Sequence, residues 1–492
     1  MSFFDKNSLD DIYSLIQNVY LSDKKPWVVG YSGGKDSTCT LQLVWNALAK
    51  LPQEKRQKPV YVISSDTLVE TPVIVRYIDK NLENIQKTSD AQGMPFIVQK
   101  VSPRVDRSFW VNLLGRGYPA PSNKFRWCTE RLKIEPANEF ITQRVAEFGE
   151  VIVVLGVRSA ESATRAQVIA MHKIEGSNLA RHSSLPNAFV FAPIESFTTD
   201  DVWNFLLQNA SPWNNNNREL VTMYRNAQAG ECPLVVDKST PSCGNSRFGC
   251  WVCTVVQQDK SMEAMVESGE EWLEPLLEFR DLLSSTQDPD KKYIYREVKR
   301  RNGQVAFNHA NGKHVPGPYK LSFCKELLTK LLETQKQVQK DAPIGEKPTL
   351  IHANELHEIR RIWRSERGDW ADSIPRIVHD TLGIDLDWHI EDSVLYNDQD
   401  YFLLNQICQD HDIPTELLVK LIDVEKASHG LKRRHNIHNR LAKVLNEEWR
   451  NLDTIIASRE SLDSSDDTDE EFLIESDSTT QMDLLHHTGA KA

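Results

Sequence analysis

The residues with the clearest chemical signature lie near the start of the chain, where residues 32–37 read S-G-G-K-D-S. Adjacent glycines allow a sharp turn and let the backbone approach a ligand closely. A helix-forming stretch follows, and a helix N-terminus presents unpaired N–H groups and the positive end of a dipole, which favour an anion. The pattern predicts a phosphate-binding loop, although a glycine-rich turn without a ligand has the same local sequence.

The side chains of this loop suggest individual roles in holding a nucleotide. Ser32 and Ser37 offer hydroxyl donors, Lys35 is a cation, and Asp36 can cap the helix or help to hold Mg²⁺. The glycines are adjacent, so this is not a Walker A loop, whose pattern is G-x-x-x-x-G-K-[ST]. We predict catalytic roles for Lys35 and Asp36. The residues predicted to bind the nucleotide are Ser32, Gly33, Gly34, Ser37 and Thr38.

Cysteines form a second pattern with chemical meaning. Cys128 lies in R-W-C-T-E-R-L-K and Cys232 in G-E-C-P, while C-G-N-S-R-F-G-C-W-V-C contains Cys243, Cys250 and Cys253. A C-x-x-C pair with further cysteines upstream has the spacing of a metal site, and four thiolates bind either zinc or a [4Fe–4S] cluster. The predicted ligands are Cys128, Cys232, Cys250 and Cys253. Cys243 is left unligated or as a sulfur acceptor, unless it replaces Cys128 or Cys232.

The elements that must position these residues alternate between strand and helix over about residues 25–205. Short runs rich in Val and Ile are typical of buried strands, and amphipathic stretches lie between them. The predicted strands are 25–31, 60–65, 96–101 and 151–157, and the clearest helices are 37–49 and 72–85. This alternation predicts an α/β fold with a parallel sheet covered by helices.

The rest of the chain has a different character. An Asn-rich and cysteine-rich segment follows the α/β region, and beyond about residue 256 the patterns are mainly helical. The predicted segments are an α/β domain at 1–205, a cysteine-rich iron–sulfur segment at 206–256, a basic helical region at 257–340, a second helical region at 341–457 and an acidic disordered tail at 458–492.

Charge is unevenly distributed along the 492 residues, whose formal net charge is −12. Residues 460–492 carry a net charge of −9, which leaves −3 for the remainder. Basic runs occur at 291–301 and 431–440. A nearly neutral body with such patches is compatible with nucleic-acid binding, but the runs are equally compatible with solvated helix faces.

Bulk properties restrict the class of protein. The chain is 40% hydrophobic and 26% charged, and it has no apolar run of the roughly 18–20 residues that a membrane span needs. Its acidic N-terminus does not resemble a secretory signal, so we expect a cytoplasmic protein with reduced thiols and no membrane partner. Three cysteines in helix-like stretches are then expected to be core residues: Cys39, Cys324 and Cys408.

The motifs together resemble a known family. S-G-G-K-D-S after a first strand is similar to the PP-loop of the ATP pyrophosphatase family, in its adenine-nucleotide alpha-hydrolase-like fold. The segments at 64–72, 155–165 and 193–203 are similar to those of its phosphoadenylyl-sulfate reductase-like branch, although Phe197 stands where that branch has tryptophan. The resemblance implies attack on the α-phosphorus of ATP with release of pyrophosphate.

This resemblance also assigns roles outside the loop. It implies that Asp66 lies beside the nucleoside, that Arg158 has a catalytic role and that Arg165 contacts phosphate, with Glu161 orienting one arginine. Surface ion pairs are the alternative reading of both arginines. The implied cofactors are ATP, Mg²⁺ and a [4Fe–4S] cluster, which the resemblance favours over zinc.

Within that branch, residues 25–255 most resemble the DndC-type sulfurtransferases of DNA phosphorothioation, with a weaker likeness to residue 340. This implies DNA as substrate, a cysteine desulfurase as sulfur donor, and other phosphorothioation proteins in a multiprotein complex. The alternative is a phosphoadenylyl- or adenylyl-sulfate reductase, whose E-C-G-L-H-like motif is absent from this sequence. A third hypothesis is a metal-containing nucleic-acid-binding protein with a vestigial nucleotide site.

Overall fold

The computed structural model describes residues 2–161, 170–226, 249–308, 312–388, 398–426 and 436–463, together with residues 167 and 428. The strands are β1 Trp27–Gly30, β2 Val60–Ser65, β3 Phe96–Val101, β4 Val151–Val154, β5 Ala180–Arg181, β6 Ala188–Phe191, β7 Ala306–Phe307 and β8 His314–Val315. Within the described residues, the main sheet has the order β3-β2-β1-β4-β6-β5. Its strands are parallel except for β5, which pairs antiparallel with β6.

Helices cover this sheet and form most of the region beyond it. They are α1 Leu9–Leu21, α2 Lys35–Ala49, α3 Pro72–Gln92, α4 Trp127–Thr129, α5 Glu135–Phe148, α6 Thr199–Gln208, α7 Asn217–Asn226, α8 Lys260–Glu267, α9 Glu274–Ser285, α10 Lys292–Tyr295, α11 Leu321–Asp341, α12 Ala353–Glu366, α13 Ser373–Leu382, α14 Asp398–Asp410, α15 Thr415–Lys426, α16 Ile437–Leu445 and α17 Leu452–Asp463. Two π-helical turns, Val111–Gly115 and Glu130–Ile134, and short 3-10 turns also occur among the described residues.

The sheet is buried on both faces, which explains why its central strands are almost entirely apolar. One core packs side chains of β1, β2 and β4 against α1, α2 and α6. A smaller core on the other face packs β1 and β4 against α5. All four residues of β4 are buried, and β1 is partly exposed only at its end, Gly30.

A third core joins the helical region to the α/β region. It contains residues 109–114, Trp251 and the apolar faces of α9, α11 and α12. Indole N–H groups tie its parts together, because Trp110 donates to the carbonyl of Leu350 at 2.6 Å and Trp363 donates to that of Leu114 at 2.8 Å.

The predicted α/β fold with a parallel sheet and a mostly helical C-terminal region is confirmed. Each of the four predicted strands is present, the last ending at Val154 rather than at 157. The division into five segments stays a prediction; the third core includes residues from both sides of 256 and 340, and α17 continues past 458. No helix among the described residues is long and apolar enough to cross a membrane.

Candidate active site

The phosphate loop connects β1 to α2 at the carboxyl edge of the sheet. Gly33 has φ of +73°, in the left-handed region that favours glycine, and a Cβ there would lie 3.0 Å from Cγ1 of Ile78. Gly34 is the N-cap of α2, and a Cβ on it would lie 3.2 Å from the hydroxyl oxygen of Tyr224. The backbone angle therefore favours glycine at the first position, and at the second a Cβ would fit only if Tyr224 shifted slightly.

Two hydroxyl groups of the loop meet at the first turn of α2. The hydroxyl of Ser37 donates to the carbonyl of Gly34 at 3.0 Å, and the N–H of Ser32 donates to Ser37 Oγ at 3.2 Å. The Oγ atoms of Ser32 and Ser37 lie 3.1 Å apart. Ser32 is exposed while Ser37 is buried, so Ser32 is the hydroxyl that a ligand reaches first.

Asp36 lies between two buried cations. Its Oδ1 accepts a hydrogen bond from Nε of Arg158 at 2.7 Å, and its Oδ2 lies 3.0 Å from Nζ of Lys35. Lys35 is 6% exposed and Arg158 3% exposed. Burial alone lowers the pKa of Lys35, but Tyr224 and Asp36 outweigh it and raise that pKa above its ordinary value. Two cations and one carboxylate leave one unit of positive charge beside the loop.

A close approach of two backbones brings Arg158 to this position. A Cβ on Gly156 would lie 2.7 Å from the carbonyl oxygen of Asp36, so the segment after β4 packs directly on the first turn of α2. Nη1 of Arg158 also donates to Oγ1 of Thr199 at 3.2 Å. The arginine is thus fixed from two elements, α2 and α6.

One cavity of about 490 Å³ joins the phosphate loop to the cysteines. Residues 32–36 line one part of it, and Cys128, Cys250 and Cys253 line another. Its volume lies within the range of about 300–1,000 Å³ that is typical of small-molecule sites. Two sequence patterns separated by more than 90 residues therefore contribute to a single site.

Local pairing fixes the C-x-x-C turn at this cavity. Cys250 forms an isolated antiparallel bridge with Glu70, and the N–H of Trp251 donates to the carbonyl of Val69 at 3.0 Å. The N–H of Cys253 donates to the carbonyl of Cys250 at 3.1 Å, which closes the turn. The loop after β2 therefore holds the cysteine pair in place.

The three thiols share an electrostatic environment with Lys133. Burial raises the pKa of the Cys250 thiol to about 12, and burial followed by the nearby Cys253 raises that of Cys128. The pKa of Lys133 is raised, first by Cys250 and then by Glu70 and the other two cysteines. Lys133 is thus placed to compensate negative charge on thiolates.

The donor chemistry of this wall fits a thiolate-bound metal group. Cysteine thiolates are the ligands of structural zinc and of iron–sulfur clusters, and three of the four predicted ligands line one cavity. Among the described residues, no three Cys, His, Asp or Glu side chains are arranged so that they could hold a metal ion. Cys232 and Cys243 lie outside those residues.

Other predicted site residues are placed differently. Asp66 lies after β2 and pairs with Nζ of Lys100 at 2.8 Å, and Thr38 is buried within α2; neither lines the cavity. Arg165 lies outside the described residues, and the side chain of Glu161 is not described. The three predicted core cysteines, Cys39, Cys324 and Cys408, are buried, which confirms that prediction.

Two residues of the site were missed by reasoning from sequence. Tyr224 accepts the Lys35 N–H at 3.3 Å, and its ring centroid lies 5.3 Å from Lys35 Nζ. This contact spans 189 positions, and no local pattern marks it. Lys133 follows Cys128 by five residues, which an α-helix would place about 140° apart, so helical periodicity does not predict their proximity. Lys133 lies in the π-helical turn Glu130–Ile134.

Comparison with known proteins finds a match to one domain model. Residues 26–256 match the phosphoadenosine phosphosulfate reductase domain. Uncharacterized protein MJ0066 of Methanocaldococcus jannaschii is 24% identical over 301 residues, which are 61% of this chain, and the match spans 50% of that protein's length.

Solved structures overlap only in part with this chain. The phosphoadenylyl-sulfate reductase of Candida auris, a phosphate complex, is 18% identical with a TM-score of 0.27, covering 43% of this chain and 84% of its own. The U34-tRNA thiolase NcsA of Methanococcus maripaludis with its [4Fe-4S] cluster is 13% identical with a TM-score of 0.28, covering 59% and 82%. At these TM-scores neither superposition supports an argument. Residues 26–256 thus combine the sequence pattern of a phosphoadenosine phosphosulfate reductase domain, of the PP-loop superfamily, with a mostly parallel central sheet.

Proposed function

We propose that this protein is a sulfurtransferase of DNA phosphorothioation that uses ATP to activate a DNA phosphate. The observation that most supports it is the single cavity lined by both the phosphate loop and three cysteines. Adenylation and sulfur transfer need a nucleotide site and sulfur chemistry within reach of one acceptor atom. The match to a phosphoadenosine phosphosulfate reductase domain supports nucleotide-dependent sulfur chemistry in general.

The first step is the activation of the acceptor. A non-bridging oxygen of the DNA phosphate attacks the α-phosphorus of ATP, and the bond to the β-phosphate oxygen breaks to release pyrophosphate. Ser32, Lys35 and the α2 N-terminus bind the leaving phosphates, and Arg158 neutralises the charge that develops. Asp36 orients both cations through its two carboxylate oxygens.

The second step exchanges oxygen for sulfur. A hydrosulfide-level sulfur nucleophile attacks the DNA phosphorus, forms the P–S bond and expels AMP, which carries away the former phosphate oxygen. Direct displacement without activation has a poor leaving group, so splitting the reaction into two displacements lowers the barrier. The thiols at 128, 250 and 253 lie on the wall of the cavity from which this attack would come.

The proposal includes two cofactors. Mg²⁺ would be held by Asp36 and the ATP phosphates, and a [4Fe–4S] cluster by Cys128, Cys250, Cys253 and Cys232, with zinc as the alternative. The metal ion would supply charge neutralisation on phosphate, and the cluster a soft site for sulfur. Lys133 would offset the negative charge of the thiolates.

The proposed partners are DNA, a cysteine desulfurase that donates sulfur as a persulfide, and other phosphorothioation proteins in one complex. A dithiol reductant must release that sulfur as hydrosulfide, supplying two electrons and becoming a disulfide. Phosphate contacts carry no sequence information, so choice of the modified site belongs to those partners in this proposal. A second candidate function is phosphoadenylyl- or adenylyl-sulfate reduction, which the domain match also favours.

The test measures three products from anaerobically purified protein supplied with ATP, Mg²⁺, DNA and sodium sulfide: pyrophosphate, AMP and phosphorothioate dinucleotides recovered after nuclease digestion. Asp36→Ala is expected to lower pyrophosphate release about 100-fold, since both cations lose their orienting carboxylate. Asp90→Ala on α3, an exposed residue of the same type, is the matched control.

Each outcome separates the candidates. Equal pyrophosphate release from Asp36→Ala and wild type would exclude the loop as the catalytic site. Sulfite formed from phosphoadenylyl sulfate, without phosphorothioate in DNA, would replace the proposal by the reductase. Iron, sulfide and zinc analysis of wild type and Cys250→Ser decides the metal group: a colourless, zinc-loaded wild type rules out the cluster.

A further inference from the structure

A second cavity, of about 530 Å³, lies beside the first and has a cationic lining. Its charged side chains are all basic: Lys292, Arg296, Arg300 and Arg301. They come from the segment at 291–301, which the sequence marked as either a nucleic-acid patch or a solvated helix face. Only residues 292–295 of that segment are helical, so the four cations do not form one helix face.

The positive charge of this cavity has no internal compensation. Within the described residues, no Asp or Glu lines it, and none of the four cations forms an ion pair. An adjacent cavity of about 380 Å³, which Arg300 and Arg301 also line, differs in containing carboxylates. Those acidic residues are Glu297, Glu366, Glu416 and Asp423. The same two arginines thus face acidic residues on one side and none on the other.

The four cations are held to different degrees. Nε of Arg296 donates to the carbonyl of Gly317 at 2.6 Å, and Nη1 of Arg301 donates to the hydroxyl of Tyr118 at 2.8 Å. Lys292 and Arg300 have no side-chain hydrogen bond within the described part of the chain, and Arg300 is exposed. Burial lowers the pKa of Arg296, and the charge of Arg300 lowers it further, as expected for crowded cations.

Aromatic rings stand among these cations. The guanidinium groups of Arg131 and Arg301 lie 5.0 Å and 5.2 Å from the ring centroid of Tyr118. Phe125, which lines the same cavity, is 46% exposed and lies 6.3 Å from Tyr118 between ring centroids. A cationic groove with exposed rings is the arrangement by which proteins bind nucleic-acid strands, through phosphates and base faces.

The wall between the two cavities is a single segment, residues 118–126. Ala120 and Ser122 line the basic cavity, while Pro121 and Arg126 line the cysteine cavity. Hydrogen bonds hold this wall on both sides, because the carbonyl of Pro121 accepts from Thr254 at 2.6 Å and from Gln287 at 2.8 Å. A ligand that occupies the basic cavity is therefore one short segment away from the thiols and the phosphate loop.

We propose that the basic cavity of Lys292, Arg296, Arg300 and Arg301 binds backbone phosphates of the DNA acceptor and, with Phe125 at the rim, positions the strand over the 118–126 segment toward the cysteine cavity. This deepens the proposed function and rests on it. Each phosphate neutralised by these cations releases condensed counterions, so binding depends steeply on salt.

The test uses the full chain and a fluorescent DNA of mixed sequence, as single strand and as duplex, titrated at several salt concentrations. Lys292→Gln/Arg300→Gln is the main variant, because neither side chain supports the fold through a hydrogen bond in the described residues. We expect affinity at low salt to fall about tenfold or more and the salt slope to fall by about 1–2. The matched control, Lys55→Gln/Lys80→Gln, removes two exposed lysines that line neither cavity.

The outcomes distinguish this inference from the proposed function. If wild type and the double variant bind DNA with the same affinity and salt slope, the basic cavity is not the DNA-binding site. The proposed function is not affected by that result. If wild type binds neither single-stranded nor duplex DNA, DNA is not the acceptor, and both proposals are wrong. Weaker binding of adenosine 3′,5′-bisphosphate in the double variant, with DNA binding unchanged, assigns the cavity to a small nucleotide instead. Arg301→Gln is a second variant in which DNA affinity should also fall, provided that its thermal unfolding matches that of wild type.

Discussion

Two groups of cations in this protein differ in how their charge is balanced. At the phosphate loop, Lys35 and Arg158 are buried and both contact the carboxylate of Asp36. At the basic cavity, Lys292 and Arg300 are at least partly exposed, and no carboxylate of the described residues lines that cavity. The cations of the first group are oriented by Asp36 before any ligand binds, whereas those of the second group keep their positive charge available to a ligand.

This difference follows from the work that each site would do. A reacting phosphate needs cations fixed in one geometry, because reorganising them during the reaction costs free energy. A polymer backbone needs only charge along its path, and mobile side chains suffice. Changes at the loop should therefore affect turnover and stability together, while changes at the basic cavity should affect binding alone.

The largest effect is expected from Gly156→Ala. Its Cβ would lie 2.7 Å from the carbonyl oxygen of Asp36, so either the first turn of α2 or the segment carrying Arg158 must move. We expect pyrophosphate release to fall about 100-fold, since displacements near 1 Å have that effect on oriented reactions. Gly345→Ala controls for the loss of a glycine without a clash, since Gly345 has no neighbour within 4 Å; its φ of +92° adds strain that Gly156→Ala lacks. Equal activity in both variants would show that the loop is not rigidly positioned.

A second comparison measures stability. Arg158→Gln removes the 2.7 Å partner of Asp36 inside the protein, and we expect the free energy of unfolding to fall by about 3 kcal/mol. Lys292→Gln/Arg300→Gln should stay within about 0.5 kcal/mol of wild type, because those side chains leave no buried partner. Urea unfolding followed by circular dichroism measures both. Similar losses in the two variants would contradict the contrast between the sites.

Much of the loop region was predictable because its signals are local. The strands are short apolar runs, and the paired glycines within residues 32–37 indicate a sharp turn before α2. The cysteines were predictable as a set through spacing, and the structure brings Cys128 to the same cavity as Cys250 and Cys253. Local sequence thus recovers the elements and the chemistry of the donors.

The rest depended on contacts that no local pattern contains. Tyr224 reaches Lys35 across 189 positions, and the basic cavity arises only where residues 118–125 meet residues 286–319. The sequence showed that residues 291–301 are basic, but not that one side of them lacks carboxylates. Compensation of charge is a property of packing between distant segments, and periodicity does not report it.

Tyr224→Phe tests a smaller part of the loop's organisation. The substitution removes the hydroxyl that accepts the Lys35 N–H at 3.3 Å but keeps the ring beside the ammonium group. Loss of one hydrogen bond of about 1 kcal/mol predicts about fivefold weaker ATP binding, measured by calorimetry. Tyr401→Phe, an exposed tyrosine on α14, is the control. Unchanged affinity would mean that the phenol does not support the loop.

The smallest expected effect concerns pH at the basic cavity. Asp423 lines the adjacent carboxylate-containing cavity with Arg300 and Arg301, and burial raises its pKa to about 6. Because pH 7.5 lies above this raised pKa, the carboxylate is charged there, and it loses its charge as pH falls through about 6. The field around the two arginines therefore becomes more positive at low pH, and DNA binding should strengthen.

Asp423→Asn isolates this contribution. The variant should bind DNA more tightly than wild type at pH 7.5, by less than about threefold because solvent and salt screen one charge. At pH 5.5 the two proteins should bind equally, since wild-type Asp423 is then mostly neutral. Burial also raises the pKa of Glu297 on the same cavity, so part of the pH dependence should persist in the variant. If the affinity difference between wild type and Asp423→Asn were larger at pH 5.5 than at pH 7.5, the pH trend would be opposite to the prediction. That result would show that the Asp423 carboxylate does not oppose the positive charge of Arg300 and Arg301.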